Sequence, residues 1–269
     1  MTDPGSPRED RDFSRFYRKV VPFQIGADFE SGNIPRAGLT ASKLGGAPYR
    51  PLGSGWPHEM YLLAQINLDD VPALPMFPST GLLQFFMCYK PGYGMFSPEP
   101  RCHVRYWENY DSPAEPALFF DSQQLVPERD SFTEGKSPID CVLEDPGFPL
   151  PLVAAERADQ LPQIDEDIES EQHGRAEILE YIHSRRWTEE ELMKFTRRTS
   201  CGGIQLGGYP SLIQTDYDST GPDELLLFQV DYYPPAIWPG DCGAIQFFIE
   251  PDDLQARRFD RVRFYFSCG

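Results

Sequence analysis

The 269 residues, 40% hydrophobic and 13% aromatic, suffice to bury a core that offsets the entropy of ordering the backbone, so a disordered chain is excluded. An excess of 42 acidic over 24 basic residues leaves a formal net charge of -18, a field that repels phosphate backbones and argues against direct nucleic-acid binding. The acidity is concentrated, with 21 acids against 9 bases between Asp111 and Ser200.

In chain order, the first predicted element is a turn at Leu44-Gly45-Gly46-Ala47-Pro48, where two glycines permit positive φ and proline sets the exit. A strand follows at Leu62-Leu63-Ala64-Gln65-Ile66-Asn67 and another at Gly81-Leu82-Leu83-Gln84-Phe85-Phe86, both apolar runs bounded by turn residues. From Tyr110 to about Pro162 the sequence is irregular, and Asp159 to Glu171 holds six carboxylates and no base, which reads as a solvated loop or helix start. Glu177 to Arg186 carries Ile178, Leu179, Tyr181 and Ile182 at helical spacing. Thr188 with Glu191 predicts a capping box for a second helix, whose apolar face would be Leu192, Met193 and Phe195, and the two helices are expected to cover a sheet.

The early blocks then return in order. Leu206-Gly207-Gly208-Tyr209-Pro210 repeats the first at an offset of 162, Leu226-Leu227-Phe228-Gln229-Val230-Asp231 the second at 164, and Gly243-Ala244-Ile245-Gln246-Phe247-Phe248 the third at 162. Ordered blocks at a near-constant offset predict a duplicated unit. Connections too short for helical crossovers favour antiparallel pairing. The expected fold class is therefore α+β, with internally duplicated antiparallel β-sheet units related by pseudo-twofold symmetry and covered by a few helices. One compact domain over 1–269 would hold a first repeat at 40–110, an acidic insertion with helices at 111–200 and a second repeat at 201–269.

These blocks, together with Trp56-Pro57 and Trp238-Pro239-Gly240-Asp241-Cys242-Gly243, resemble the YwqG-like family of proteins of unknown function from about Lys43 to Glu250. The resemblance implies an α+β fold with internal duplication and assigns no activity or cofactor. Some relatives sit near secreted-toxin systems, which implies an immunity or partner-binding role. The long acidic middle and Pro239 depart from the family pattern.

Catalytic and metal signatures are sparse. Gly203 and Gly208 have phosphate-loop spacing, but Tyr209 stands where lysine is required. Cys88, Cys102 and His103 are the best remnant of a metal site, yet Cys102 and His103 as strand neighbours point to opposite faces, so no metal is expected. Cys242 reads as a small core residue entering a strand rather than a nucleophile. The distinctive polar positions are Gln65, Gln84, Gln229 and Gln246, which match across the repeats. They would either floor a groove for a small polar ligand or a peptide backbone, or, as the preferred reading, satisfy buried backbone groups. Asp231, Trp238 and Asp241 would line one strand end, and an alternative hydrolase or small-ligand enzyme would draw on those carboxylates.

The candidate ligand-binding residues are thus Gln65, Gln84, Gln229, Asp231, Trp238, Asp241 and Gln246, with no catalytic residue, metal or cofactor assigned. The expected function is a non-enzymatic protein-binding or immunity-type module, and the partner this charge would draw is a basic protein. The six cysteines lie far apart and predict reduced thiols in a cytoplasmic location. No basic stretch leading into an apolar run opens the sequence, and no segment is apolar enough for a membrane helix, so neither export nor membrane association is expected.

Overall fold

A computed structural model describes residues 12–57, 60–88, 102–115, 143, 147–164, 174–184, 186–213, 224–239 and 242–267. The chain opens with β1 (Arg18–Ile25), whose Val21, Phe23 and Ile25 point inward in the period-two pattern of a half-buried strand. One wing of the sheet then comprises β2 (Lys43–Leu44), β3 (Met60–Asn67), β4 (Leu82–Cys88) and β5 (Cys102–Trp107). After β6 (Leu150–Ala154) and β7 (Ala158–Gln160), the second wing comprises β8 (Ile204–Gly207), β9 (Leu225–Asp231), β10 (Ala244–Ile249) and β11 (Arg263–Ser267).

The eleven strands among the described residues belong to one sheet in the order β11-β10-β9-β8-β1-β6-β2-β3-β4-β5, with β7 pairing β1 off this path. Every strand pairing is antiparallel, as the short connections predict. The expectation of two separate sheets is corrected: β1 and β6 bridge the wings into a continuous surface. That surface curls until its ends approach. The Tyr106 ring on β5 lies 5.4 Å from Phe259, and Arg257 Nη1 reaches Glu108 at 2.7 Å, giving a nearly closed, barrel-like arrangement.

Curling buries the inner face of both wings in one core. Phe85 of β4 stacks on Phe228 of β9 at 4.5 Å and meets Phe247 of β10 at 4.9 Å. Each such ring contributes about 2 kcal/mol by leaving water, and ring pairing adds about 1 kcal/mol. The glycine turns set the approach of the loops to this sheet. Gly46 and Gly208 both have positive φ, and an added Cβ would lie 2.5 Å from Pro149 Cβ and 2.3 Å from Gln160 Oε1 respectively.

Helix α1 (Arg175–His183) overlaps the predicted segment Glu177 to Arg186 but begins and ends before it, and α2 (Glu189–Arg198) starts directly after the predicted cap. The capping box is formed: Glu191 N donates to Thr188 Oγ1 at 3.2 Å and Thr188 N donates to Glu191 Oε2 at 2.9 Å. The apolar face of α2 is narrower than the periodicity suggests. Phe195 is buried, whereas Leu192 and Met193 are 38% and 48% exposed. Both helices pack with Phe13, Phe16 and Leu161 in a satellite cluster, so they cover the start of β1 rather than the main core. A short α3 (Pro251–Gln255) follows β10 and seats Leu254 in the core.

Candidate functional site

The outer face of each wing is roofed by the loop that follows its glycine turn, and the four glutamines stand beneath those roofs. On the first wing, Gln65 Oε1 accepts from Tyr49 N at 2.9 Å and from Gln84 Nε2 at 2.9 Å, while Gln84 Nε2 also donates to Tyr49 O at 2.7 Å. Gln65 Nε2 donates to the carbonyls of Leu39 and Ala41. On the second wing, Gln229 Oε1 accepts from Ser211 N at 2.8 Å and from Gln246 Nε2 at 2.8 Å, and Gln246 Nε2 donates to Ser211 O at 2.7 Å. Gln229 Nε2 donates to the carbonyls of Cys201 and Gly203. The two brackets correspond atom for atom. All four side chains are 0% exposed, and their amides face the backbone of the roofing loops, not a groove.

Asp231 ends β9, and Trp238 packs on the adjacent Tyr232. Asp231 Oδ2 accepts from Gly203 N at 3.1 Å and Oδ1 from Tyr232 N at 2.7 Å, so the carboxylate braces backbone; burial nevertheless raises its pKa above the ordinary carboxylate range. Trp238 Nε1 donates to Pro235 O at 2.9 Å and its ring meets Tyr232 edge-on at 5.3 Å. Asp241 lies outside the described residues. Cys242 is exposed in a left-handed conformation with φ 68, correcting its reading as a core residue: the turn closed by Gly243 N to Pro239 O turns it outward before β10 begins. Cys102 is mostly buried, and burial pushes its thiol up to about 12, which keeps it unreactive.

Beyond the glutamine brackets the two wings diverge. On the second wing, Leu212 follows the bracketed Ser211 and packs with Leu226, Phe248 and Tyr265; Tyr265 faces Gln246 across β10 and β11. The neighbouring Arg263 is paired with the buried Glu224. On the first wing, Arg50 follows the bracketed Tyr49, and Arg105 faces Gln84 across β4 and β5. They surround Met60, Leu62, Phe86 and Trp56. Strand alternation puts His103 on the same face as Arg105, because Val104 between them enters the inner core.

Among the described residues this corner is cationic without a counter-charge. Arg50 is 8% exposed; its Nη1 donates to Ser54 O at 3.1 Å and its guanidinium lies 5.7 Å from the Trp56 ring centroid. Arg105 Nη1 donates to Gly55 O at 2.7 Å, its Nε donates to His103 Nε2 at 3.1 Å, and it lies 5.6 Å from the Phe86 ring centroid. Among the described residues no carboxylate pairs with either arginine, and Glu115, which is close in the loop, accepts from Gly53 N at 2.7 Å instead. Burial, then the like charge of Arg50, lowers the pKa of Arg105; burial, then Arg105, lowers that of His103, which therefore stays neutral near pH 7. An uncompensated buried cation is costly, and a bound anion is the physical remedy. Sequence reasoning treated His103 only as a metal remnant and passed over Arg50 and Arg105. The signal was present in the departure of Arg50 and Arg105 from Leu212 and Tyr265 at matching places.

The fold is thus that of a sheet-dominated protein whose two wings share a polar bracket and whose first wing, among the described residues, carries a cationic corner. Residues 42–268 match the family described as a domain of unknown function, DUF1963, and the chain belongs to that family. No curated protein matches the chain. Among the described residues no helix is long and apolar enough to cross a membrane.

Proposed function

We propose that this protein is a non-enzymatic binding module that captures an anionic group at Arg50 and Arg105. The observation that carries this reading is the pair of guanidiniums that meet no carboxylate among the described residues, standing where the second wing places Leu212 and Tyr265. Folding does not require an arginine at either place, since the second wing sets the neutral Leu212 and Tyr265 there and pairs its neighbouring Arg263 with Glu224. The matched glutamine brackets support descent of the wings from one duplicated unit with a pseudo-twofold axis, the arrangement implied by the likeness to YwqG-like proteins. Unpaired Cys88, Cys102, Cys201 and Cys242 fit a reducing, cytoplasmic setting. The test is thermal unfolding in sodium acetate, sulfate or phosphate against chloride at matched ionic strength. Wild type is expected to gain several degrees with at least one anion, and Arg50→Gln or Arg105→Gln to lose the gain; an equal response in wild type and both variants would refute the site.

A second reading, a basic protein partner, is favoured by the net charge of -18 and by solvent-facing Leu192 and Met193 beside Glu189 and Glu190 on α2. Capture of such a partner should weaken with salt and with Leu192→Ser plus Met193→Ser. A partner indifferent to both changes would remove this reading.

A further inference from the structure

We infer that the group held at Arg50 and Arg105 is a phosphoryl dianion, as in a phosphate monoester or inorganic phosphate, an inference that rests on the binding reading above. The arginines converge on consecutive carbonyls of one turn, Ser54 O and Gly55 O, so their forks gather at one place although they come from a loop and from β5. Arg50 spends Nη1 on that turn, and Arg105 spends Nη1 and Nε, which leaves most N–H donors of both forks unspent. A single fork takes both oxygens of a planar carboxylate within its plane and leaves a second fork only the remaining lone pairs. The terminal oxygens of a phosphoryl group fan out in three directions and can engage two forks at once.

Charge points the same way. His103 accepts a hydrogen bond at Nε2 from Arg105 Nε, so its ring is neutral and, among the described residues, the corner holds the charges of the two arginines alone. A dianion balances that pair, whereas a monocarboxylate leaves one buried cation uncompensated. Trp56 and Phe86 are not spare donors: Trp56 Nε1 is committed to Met60 O at 2.7 Å, and both rings lie against the guanidiniums. The net charge of -18 opposes approach of an extended polyanion, which selects a small ligand or a lone phosphorylated group held by short-range contacts over a nucleic-acid strand.

The experiment is calorimetric titration of the full chain with inorganic phosphate and with acetate at pH 7.5 and matched ionic strength, on wild type, Arg50→Gln and Arg105→Lys. Phosphate should bind saturably and at least tenfold more tightly than acetate. Arg105→Lys, which keeps the charge and loses the fork, should weaken phosphate binding at least tenfold while unfolding at a temperature close to wild type. Acetate binding as tightly as phosphate would overturn the phosphoryl assignment and leave the anion-binding module standing. Binding of neither ion would overturn both. Phosphate binding unchanged in Arg50→Gln and Arg105→Lys would place the ion elsewhere and refute this site.

Discussion

The outer faces of the two wings begin alike and end differently. Both carry a buried glutamine pair that pins the roofing loop through the same two hydrogen bonds, at Tyr49 on one side and Ser211 on the other. One residue further along the loop, the second wing turns apolar with Leu212, while the first places Arg50 beside Arg105. Shared positions report what the fold needs, and divergent ones report what has been added to it. By that criterion the glutamines are architecture, and the arginines are where we place the proposed binding.

The strongest way to sharpen the shared half of this comparison is to delete a bracket. Gln84→Leu or Gln246→Leu strips the carbonyl of Tyr49 or Ser211 of a buried donor, and each should cost about 3 kcal/mol in chemical unfolding, with losses of similar size on the two wings. A large cost on one wing and none on the other would break the correspondence. Almost as large is the effect of Lys43, which is buried with Nζ bonded to the carbonyls of Gly38 and Leu39 and whose pKa burial lowers to about 8. Its place on the second wing is taken by the neutral Gln205, which faces Gln229 as Lys43 faces Gln65. The unfolded chain, with lysine near 10.5, holds the proton that the folded chain gives up, so stability should rise between pH 8 and 10.5 by at most about 3 kcal/mol. Lys43→Met should flatten that rise; an unchanged pH profile in the variant would show that the ammonium is not the cause.

The turns offer a milder test of likeness. Gly46→Ala and Gly208→Ala force a Cβ into Pro149 and into the Gln160 amide at positive φ, and about 2 kcal/mol should be lost at each. Smallest of all, Leu192→Ser with Met193→Ser should leave stability within about 0.5 kcal/mol, since water already reaches both side chains.

The sequence made the shared features legible and hid the bridging ones. Strands β3, β4, β9 and β10 showed as repeated apolar runs, the glycine turns as repeated punctuation, and the α2 cap as a Thr-x-x-Glu pattern, because each of these is a local signal. β1 escaped because it lies before the first repeat and carries Arg18, Lys19 and Pro22. β6 and β7 escaped because Leu150–Ala154 is short, contains Pro151, and sits in a stretch whose charge and proline content read as irregular; their pairing is imposed by β1 and β2. The glutamines were recognisable as matched, but only the roofing loops reveal that they face backbone. Arg50 and Arg105 are far apart in sequence and meet only because β5 lies at the end of the sheet beside the loop that carries Arg50.

The most direct test is to convert the first corner into the second. Arg50→Leu with Arg105→Tyr, compared with wild type by chemical unfolding in anion-poor buffer, should stabilise the protein by about 1–2 kcal/mol because the buried Arg50 cation, which meets no carboxylate among the described residues, leaves the structure with that of the partly buried Arg105, and added phosphate should no longer raise its stability. A double variant less stable than wild type without phosphate, or still stabilised by phosphate, would contradict the account, for it would show that the arginines serve the fold or that the anion is held somewhere else.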